Sequence, residues 1–409
     1  MATYESYKDS GVKWLGQIPS HWEVKRAKTI FIRHKRPVRK EDEIVTCFRD
    51  GQVTLRKNRR IEGFTNAAKE FGYQGIRKGD LVIHEMDAFA GAVGVSDSDG
   101  KSTPVYSVCT TRTPEYSEKY YAHIIKVMAS LGFIQSLSKG IRERSTAFSY
   151  DIFGTQLLPI PPAGEQEAIV AYLDKVTAEI DRAIEAQQKM IDVLNERKQI
   201  IITRAVTCGL NPDAPLRDSG IDWLGQIPAH WEIIPMRYLS KMKTGDKDTI
   251  MRDDNGAYPF YVRSPHIERI NTYSYDGEAV LMAGDGVGAG KVFHYVNGKF
   301  DYHQRVYNFH KFQRVTGEFL YFYLRSNFRY KIEEGGAKST VDSVRLPWLK
   351  AFPICVMPKT EQSEIVAFIH KSIRPIDLSL NNCERMISLL QERKQIIINE
   401  VVTGKKKVI

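Results

Sequence analysis

Cysteine is scarce. The 409 residues hold five, Cys47, Cys109, Cys208, Cys355 and Cys383, odd in number, scattered, and never in a C-x-x-C pair. That argues against a disulfide framework and against a zinc ribbon. Ten histidines occur, none at H-x-x-x-H or H-E-x-x-H spacing, so no metal ligand is assigned. No run approaches the roughly 18 apolar residues of a membrane span. The opening MATYESYKDSGVKWLG lacks the apolar core of a signal peptide. The expectation is a soluble protein of a reducing compartment, the cytoplasm.

Catalytic signatures are missing as well. There is no G-x-S-x-G elbow and no cysteine in a nucleophile motif. An amino-methyltransferase loop of the form (Asp/Asn/Ser)-Pro-Pro-(Tyr/Phe) is not found, because Pro161-Pro162 is flanked by Ile160 and Ala163. The run Gly284-Asp285-Gly286-Val287-Gly288-Ala289-Gly290-Lys291 invites a phosphate-loop reading. It has Asp285 where a Walker A loop needs its first glycine, and Val292 where Ser or Thr should follow the lysine. It reads as a flexible hairpin turn. No catalytic residue is assigned, and the chain reads as non-catalytic.

What is present begins with charge. Lys and Arg number 59 against 49 Asp and Glu, a net +10, which favours a polyanionic partner. The chain also repeats itself. SGVKWLGQIPSHWEV at residues 10–24 returns as SGIDWLGQIPAHWEI at 219–233, aligning Trp14 with Trp223 and Trp22 with Trp231. EQEAIVAYLDK…ERKQIIITRAVT at 165–207 returns as EQSEIVAFIHK…ERKQIIINEVVT at 361–403. The order is A–B–A′–B′, a tandem duplication. Its segments are 1–160, 161–210, 211–358 and 359–409, the last with a basic tail at Lys405, Lys406 and Lys407.

Each B segment has the spacing of a coiled-coil helix. In the first, the seam runs Ile169, Leu173, Val176, Ile180, Ile184, Ile191, Leu194 and Ile201. In the second it runs Ile365, Ile369, Ile373, Ile376, Leu380, Cys383, Ile387, Leu390 and Ile397. Steps of three and four leave a stripe too narrow to hide alone. A rod of this length, about 65 Å, is expected to pack antiparallel on its twin. An oligomerisation zipper is the alternative, but two seams in one chain favour an internal pair. Pro375 is expected to kink the second rod or to begin its regular part.

The A segments are different in kind. Passages such as GDLVIHEMDAFAGAVGVSDSDGK and GEAVLMAGDGVGAGKVFHYVNGK read as strand–turn–strand, with helices at SEKYYAHIIKVMASLGFIQSL and GEFLYFYLRSNFRYKI. Each A segment is read as a mixed α/β domain of roughly 150 residues. The Trp–Pro–Trp opening is read as packing, and His21 and His230 as structural. The positive charge lies in these domains: +7 over residues 1–160 and +3 over 211–360, against −2 along 161–210. The densest basic stretch is 25–40, where Lys25, Arg26, Lys28, Arg33, Lys35, Arg36, Arg39 and Lys40 occur without an acid among them. In the second domain, bases interleave with aromatics around Tyr258, Phe260 and Tyr261 and along 319–330.

Taken in order, KWLGQIPSHWEV, PPAGEQEAIVAYLD, DWLGQIPAHWEI and MPKTEQSEIVAFIH, with ERKQIII ending both rods, resemble the specificity subunit of type I restriction–modification systems over essentially the whole chain. The resemblance implies a non-catalytic DNA-recognition subunit with two target-recognition domains alternating with two long helices. Each domain would read one half of a bipartite asymmetric site on double-stranded DNA. The helices would set the gap and dock two methyltransferase subunits, to which two motor–nuclease subunits add. S-adenosylmethionine, ATP and magnesium would belong to those partners, with no cofactor in this chain. A recognition subunit of a related bipartite methylation-and-cleavage system, or a coiled-coil scaffold that binds only proteins, are the alternatives. Contact candidates rest on side-chain chemistry and loop context. They are Lys57, Asn58, Arg59, Arg60, Arg142, Arg144 and Ser145 in the first domain, and Arg263, His266, Lys338, Ser339 and Arg345 in the second.

Overall fold

The computed structural model describes residues 2–59, 70–137, 147–334 and 343–408. The chain divides into two units: residues 1–186 with 386–409, and residues 187–385. The longer helices are α1 (Glu118–Ser130), α2 (Ala163–Cys208), α3 (Gly317–Glu334) and α4 (Lys359–Val402).

The first unit opens on a hairpin, Tyr7–Asp9 against Gln17–Pro19, that buries Leu15 and Ile18. Its central sheet comprises β1 (Phe31–His34), β2 (Leu81–His84), β3 (Val93–Val95) and β4 (Tyr106–Thr111) in the order β1-β4-β2-β3, antiparallel throughout. The helix α1 starts where the Ser117 hydroxyl accepts from the Tyr120 amide. It buries Tyr120, Tyr121, Ile124, Ile125 and Met128, a 3–4 spacing that makes one apolar face.

The second unit opens on the corresponding hairpin, Leu216–Asp218 against Gln226–Pro228. Its sheet is wider: β5 (Lys241–Thr244), β6 (Tyr258–Tyr261), β7 (Ile267–Ile270), β8 (Tyr275–Ala283), β9 (Phe293–Tyr302) and β10 (Val306–His310), ordered β5-β10-β8-β9-β6-β7. Only the β6–β9 pair is parallel. The aromatic face of α3, with Phe319, Phe322, Tyr323 and Phe328, is buried in the core. The interleaved aromatics of this domain are therefore mostly packing, with Phe260 and Tyr261 buried too.

Both long helices are launched in the same way. The strand Leu157–Ile160 pairs with Glu23–Arg26 and leads into α2; Pro353–Val356 pairs with Glu232–Pro235 and leads into α4. The repeated Glu-Gln then ties each helix start to its globular part. Glu165 accepts from Trp22 Nε1 at 2.9 Å and Tyr4 Oη at 3.0 Å, and lies 2.6 Å from His21 Nε2. Glu361 accepts from Trp231 Nε1 at 2.9 Å and lies 2.8 Å from His230 Nε2. Such charge-assisted bonds contribute about 1.5–3 kcal/mol each, and a carboxylate in a helix's first turn also meets its positive end. The buried amides of Gln166 and Gln362 do the rest. Gln166 accepts from the Ser117 amide and donates to the Glu115 and Pro161 carbonyls; Gln362 accepts from the Thr316 amide and donates to the Arg314 and Met357 carbonyls.

The same tryptophans meet helix ends. Gly209, just after α2, has φ +73° and would place a Cβ 3.2 Å from Trp231; Gly404, just after α4, has φ +75° and would place one 2.5 Å from Pro19 and 2.9 Å from Trp22. Only glycine fits that left-handed turn and close approach.

The helices pair antiparallel. In the first unit Ile169, Leu173 and Ile180 of α2 and Ile397, Ile398 and Val401 of α4 are buried together, with Val176, Ile184 and Leu390 packed at their margin. Lys394 Nζ lies 2.7 Å from both oxygens of Asp181. In the second unit Ile365, Ile369 and Ile373 share a core with Ile202, Ala205 and Val206, and Lys198 pairs with Asp377 at 2.5 Å. Ile376 and Cys383 are buried, while Ile191, Leu194, Leu380 and Ile387 are half-buried. Ile201 is half-buried as well, and its neighbour Ile202 takes the inner position, since the run Ile200-Ile201-Ile202 offers three registers to one seam. Pro375 sits exposed inside α4, which is already regular from Lys359. Its carbonyl accepts from the Ser379 hydroxyl.

Replacing Gln362 with alanine strands the Thr316 amide and the Arg314 and Met357 carbonyls in a buried site. Unfolding in guanidinium, followed by tryptophan fluorescence, should show the second unit weakened by about 3 kcal/mol. Gln362→Glu, equal in shape but with an oxygen facing two carbonyls, should cost at least as much. A loss below about 1 kcal/mol for both variants would remove the amide from its anchoring role.

Candidate nucleic-acid interface

Half of the basic residues in the stretch 25–40 are paired with acids, and of these Arg33 and Arg36 are half-buried. Arg36 pairs with buried Asp80, Arg33 lies 3.6 Å from Glu85, Arg39 3.3 Å from Asp99, and Lys25 2.7 Å from Glu23. Arg77 reaches buried Asp42 at 3.1 Å. Asp80, Glu85 and Asp99 come from distant positions in the chain and partly neutralise a stretch that looks uniformly cationic on its own. Arg26, Lys28, Lys35 and Lys40 remain solvent-exposed.

Of the candidates in the first unit, Lys57, Asn58 and Arg59 come together on one short 3-10 turn that follows the strand Val53–Leu55. Lys57 pairs with Glu43, and Asn58 Nδ2 donates to Thr54 Oγ1 at 2.9 Å. Arg59 is held at 2.6 Å by Asp50 and stacks 4.4 Å from the Phe48 ring centroid. A guanidinium stacked and buttressed in this way is pre-organised for a planar acceptor. Arg60, Arg142, Arg144 and Ser145 lie outside the described residues, as do Lys338 and Ser339 of the second unit.

In the second unit Arg263 is exposed and donates to Asp285 at 3.1 Å. The backbone of Asp285 bridges to Ser343, two residues before Arg345, whose guanidinium lies 6.0 Å from the Trp348 ring. Arg263 and Arg345 are thus linked to one turn. His266 is exposed on the bend before β7, where its carbonyl accepts from Ser264 Oγ. Sequence reading missed Arg305, which lies 3.5 Å from the other oxygen of Asp285, and Gln304, which donates to Asp248 at 2.9 Å. Neither sits in a basic cluster, so composition offered no signal for them.

The first unit has an Asp–Arg pair of its own. Arg49 donates to Asp87 at 2.9 Å, beside the turn Ala88–Ala90. Arg49 also lines a cleft of about 940 Å³ with His123 and Lys126 of α1 and with Asp181 and Lys394 of the helix pair. Among the described residues no group of three or more His, Cys, Asp or Glu is arranged to hold a metal ion. Burial pushes the thiols of Cys47 and Cys109 up to about 12, far from a nucleophile's range.

With this geometry in view, comparison with known proteins is specific. The type I restriction modification DNA specificity domain matches residues 228–383. The chain is 28% identical over 180 residues to the Escherichia coli type I restriction enzyme EcoDI specificity subunit, covering 44% of this chain and 39% of that one. It is 23% identical over 282 residues to the Methanocaldococcus jannaschii type I restriction enzyme MjaVIII specificity subunit, covering 63% and 64%. The fold is shared with a chain solved in work on complex assembly and conformational transition of the type I R-M system. That match has a TM-score of 0.69 at 12% identity and spans 94% of this chain and 98% of the other. The type I restriction–modification specificity subunits are thus what this chain is similar to, in sequence and in fold. It spans less than two thirds of the length of the EcoDI and MjaVIII subunits it matches.

No helix among the described residues is long and apolar enough to cross a membrane. The cleft residue His123 has a distinct electrostatic role. Its Nδ1 is sealed from solvent without a hydrogen-bond partner, and burial lowers its pKa from 6.5 to about 4. The unfolded chain therefore takes up this proton at a higher pH than the native one. Its cost to stability is nil well above pH 6.5, grows as pH falls toward about 4, and reaches on the order of 3 kcal/mol. Thermal melts from pH 8 to 4 should show His123→Gln flattening that part of the profile; an unchanged slope would assign the acid sensitivity elsewhere.

Proposed function

We propose that this chain is the DNA-recognition subunit of a type I restriction–modification complex and reads a bipartite asymmetric site. Residues 1–160 act as one target-recognition domain and 211–358 as the other, each reading one half-site. The two long helices set the gap and dock two methyltransferase subunits, with two motor–nuclease subunits completing the assembly. The duplication supports this reading most directly: two similar globular parts carry the basic excess, and neither has a catalytic signature.

A duplicated apolar stripe supports the docking role. On α2, Met190, Val193 and Ile200 are 51%, 59% and 57% exposed; on α4 the corresponding Met386, Leu389 and Ile396 are 47%, 50% and 48% exposed. Exposed apolar patches of this kind mark partner surfaces. Having the same stripe once per helix suits two copies of one partner. Adenine methylation, ATP hydrolysis and cleavage then belong to those partners, and this chain supplies their address.

Three measurements test the reading. The purified chain alone should bind duplex DNA with an affinity that falls steeply with salt, as phosphate contacts release counterions, and should transfer no methyl group. A scaffold that binds only proteins would show no such slope. Replacing residues 25–150 with the equivalent domain of a relative should alter one half of the methylated motif in long-read methylome sequencing and leave the other intact.

The helices as a ruler can be tested separately. Duplicating residues 186–189, which lie in the least buried stretch of α2, adds about 6 Å and slightly more than one turn. The methylated motif should keep both halves and gain one or two unspecified bases between them, at about 3.4 Å per step. A two-residue insertion, roughly half a turn, should lose methylation. Methylation of the original motif with the original gap by the longer variant would remove the spacer role.

A further inference from the structure

The glycine-rich turn at 284–290, which fails as a phosphate loop, is built onto two arginines. The Gly284 amide donates to the Arg305 carbonyl at 2.8 Å, and a Cβ there would lie 3.0 Å from that oxygen and 2.8 Å from the Tyr307 ring. A Cβ on Gly288 would fall 2.3 Å from the Arg263 carbonyl. Glycine at these places lets the turn lie directly on the backbone of both arginines. From within the turn, Asp285 holds Arg263 Nη1 with one oxygen, at 3.1 Å, and Arg305 Nε with the other, at 3.5 Å. The carboxylate itself is largely shielded, whereas Arg263 and Arg305 are 48% and 65% exposed. At the tip, Val287 is 93% exposed, the one exposed side chain between Gly284 and Gly290. The base of the turn is secured by the Val344 amide donating to the Gly284 carbonyl at 2.8 Å, and the Val344 carbonyl accepts from Tyr307 Oη at 3.0 Å.

We propose that this turn is a base-reading fork: Asp285 clamps Arg263 and Arg305 so that they read guanine edges in the major groove, with Val287 as an apolar contact beside them. The proposal rests on the DNA-recognition reading above and assigns side chains to it. Asp285 is the discriminating observation. A carboxylate between two arginines halves their net charge and repels phosphate, which makes a poor backbone clamp. The same carboxylate fixes their orientation, which base readout needs and phosphate attraction does not. Binding Arg305 through Nε leaves its two terminal nitrogens directed outward, the pair suited to guanine O6 and N7. A valine 93% exposed at the tip of a turn whose base is anchored has little to pack on in its own unit, and the thymine methyl group is the apolar feature the major groove offers.

The test uses the complete complex of this chain with its modification subunits, with the motif first established from methylated bases in genomic DNA. Binding is then selected from a duplex library randomised across the half-site assigned to residues 211–358. Arg305→Lys keeps the charge and loses the fork, so it should relax a G·C preference at one position by about tenfold to a hundredfold while leaving the salt slope unchanged. Arg263→Lys should do the same at one position, Asp285→Asn should relax both, and Val287→Ser should erase a thymine preference next to them. The other half-site should be untouched, which also reports that the variants fold. A uniform loss across all sequences, with the salt slope reduced by about one for Arg305→Gln, would make the arginines phosphate contacts and overturn the fork. Unaltered selection by Arg305→Lys and Asp285→Asn would overturn it too. Absence of any base preference in the unsubstituted complex would instead overturn the recognition reading beneath it.

Discussion

The structure depends on a joint made by one tryptophan in each unit. The indole nitrogen of Trp22 binds Glu165 at the start of α2, and its ring lies against Gly404 at the end of α4. Trp231 binds Glu361 at the start of α4, and its ring lies against Gly209 at the end of α2. One side chain thus holds an incoming and an outgoing helix at once, polar edge to one and apolar face to the other, a division of labour suited to tryptophan. The first unit is consequently assembled from two stretches far apart in the chain, residues 1–186 and 386–409, whereas the second brings together the two ends of one stretch, 187–385. The antiparallel course of the pair inside each unit follows from having one start and one end at the same place.

Around that joint, the polar groups are spent on orientation more than on adhesion. The side-chain amides of Gln166 and Gln362 are fully engaged and almost wholly buried, so each fixes a helix start against a loop and tolerates no near substitute. The ion pairs have the same character. Arg36 with Asp80 and Arg77 with Asp42 set one loop of the first unit against another, and both acids are buried. A buried carboxylate must keep its partner, since removing one charge leaves the other stranded. Arginines so committed cannot also serve a polyanion. Exposed guanidiniums held from one side by a carboxylate, at Arg59, Arg49, Arg263 and Arg305, have their remaining donors pointed at solvent.

The architecture was largely legible in the sequence because it is written in local and repeated signals. The repeat at 165–207 and 361–403 appears as helices Ala163–Cys208 and Lys359–Val402. The paired WLGQIP strings appear as paired hairpins, and the two passages read as strand–turn–strand appear as β2 with β3 and β8 with β9. Helical period, strand alternation and duplication need only neighbours in the chain to be seen. Pro375 does not begin the helix, which runs from Lys359 to Val402; the proline lies exposed within it between the buried Ile373 and Ile376.

Tertiary structure alone decided which charges are available. Lys25 to Lys40 contains no acid, yet Asp80, Glu85 and Asp99 return to it from more than forty residues away. It also decided which of three consecutive isoleucines turns inward at 200–202, a choice set by the partner helix. It gave the glycine run a purpose, since only the fold shows whose backbone the glycines lie against. Periodicity is a property of one segment and survives in the sequence. Ion pairing, register between helices and close backbone approach are properties of two segments, and a one-dimensional pattern carries no record of which second segment will arrive.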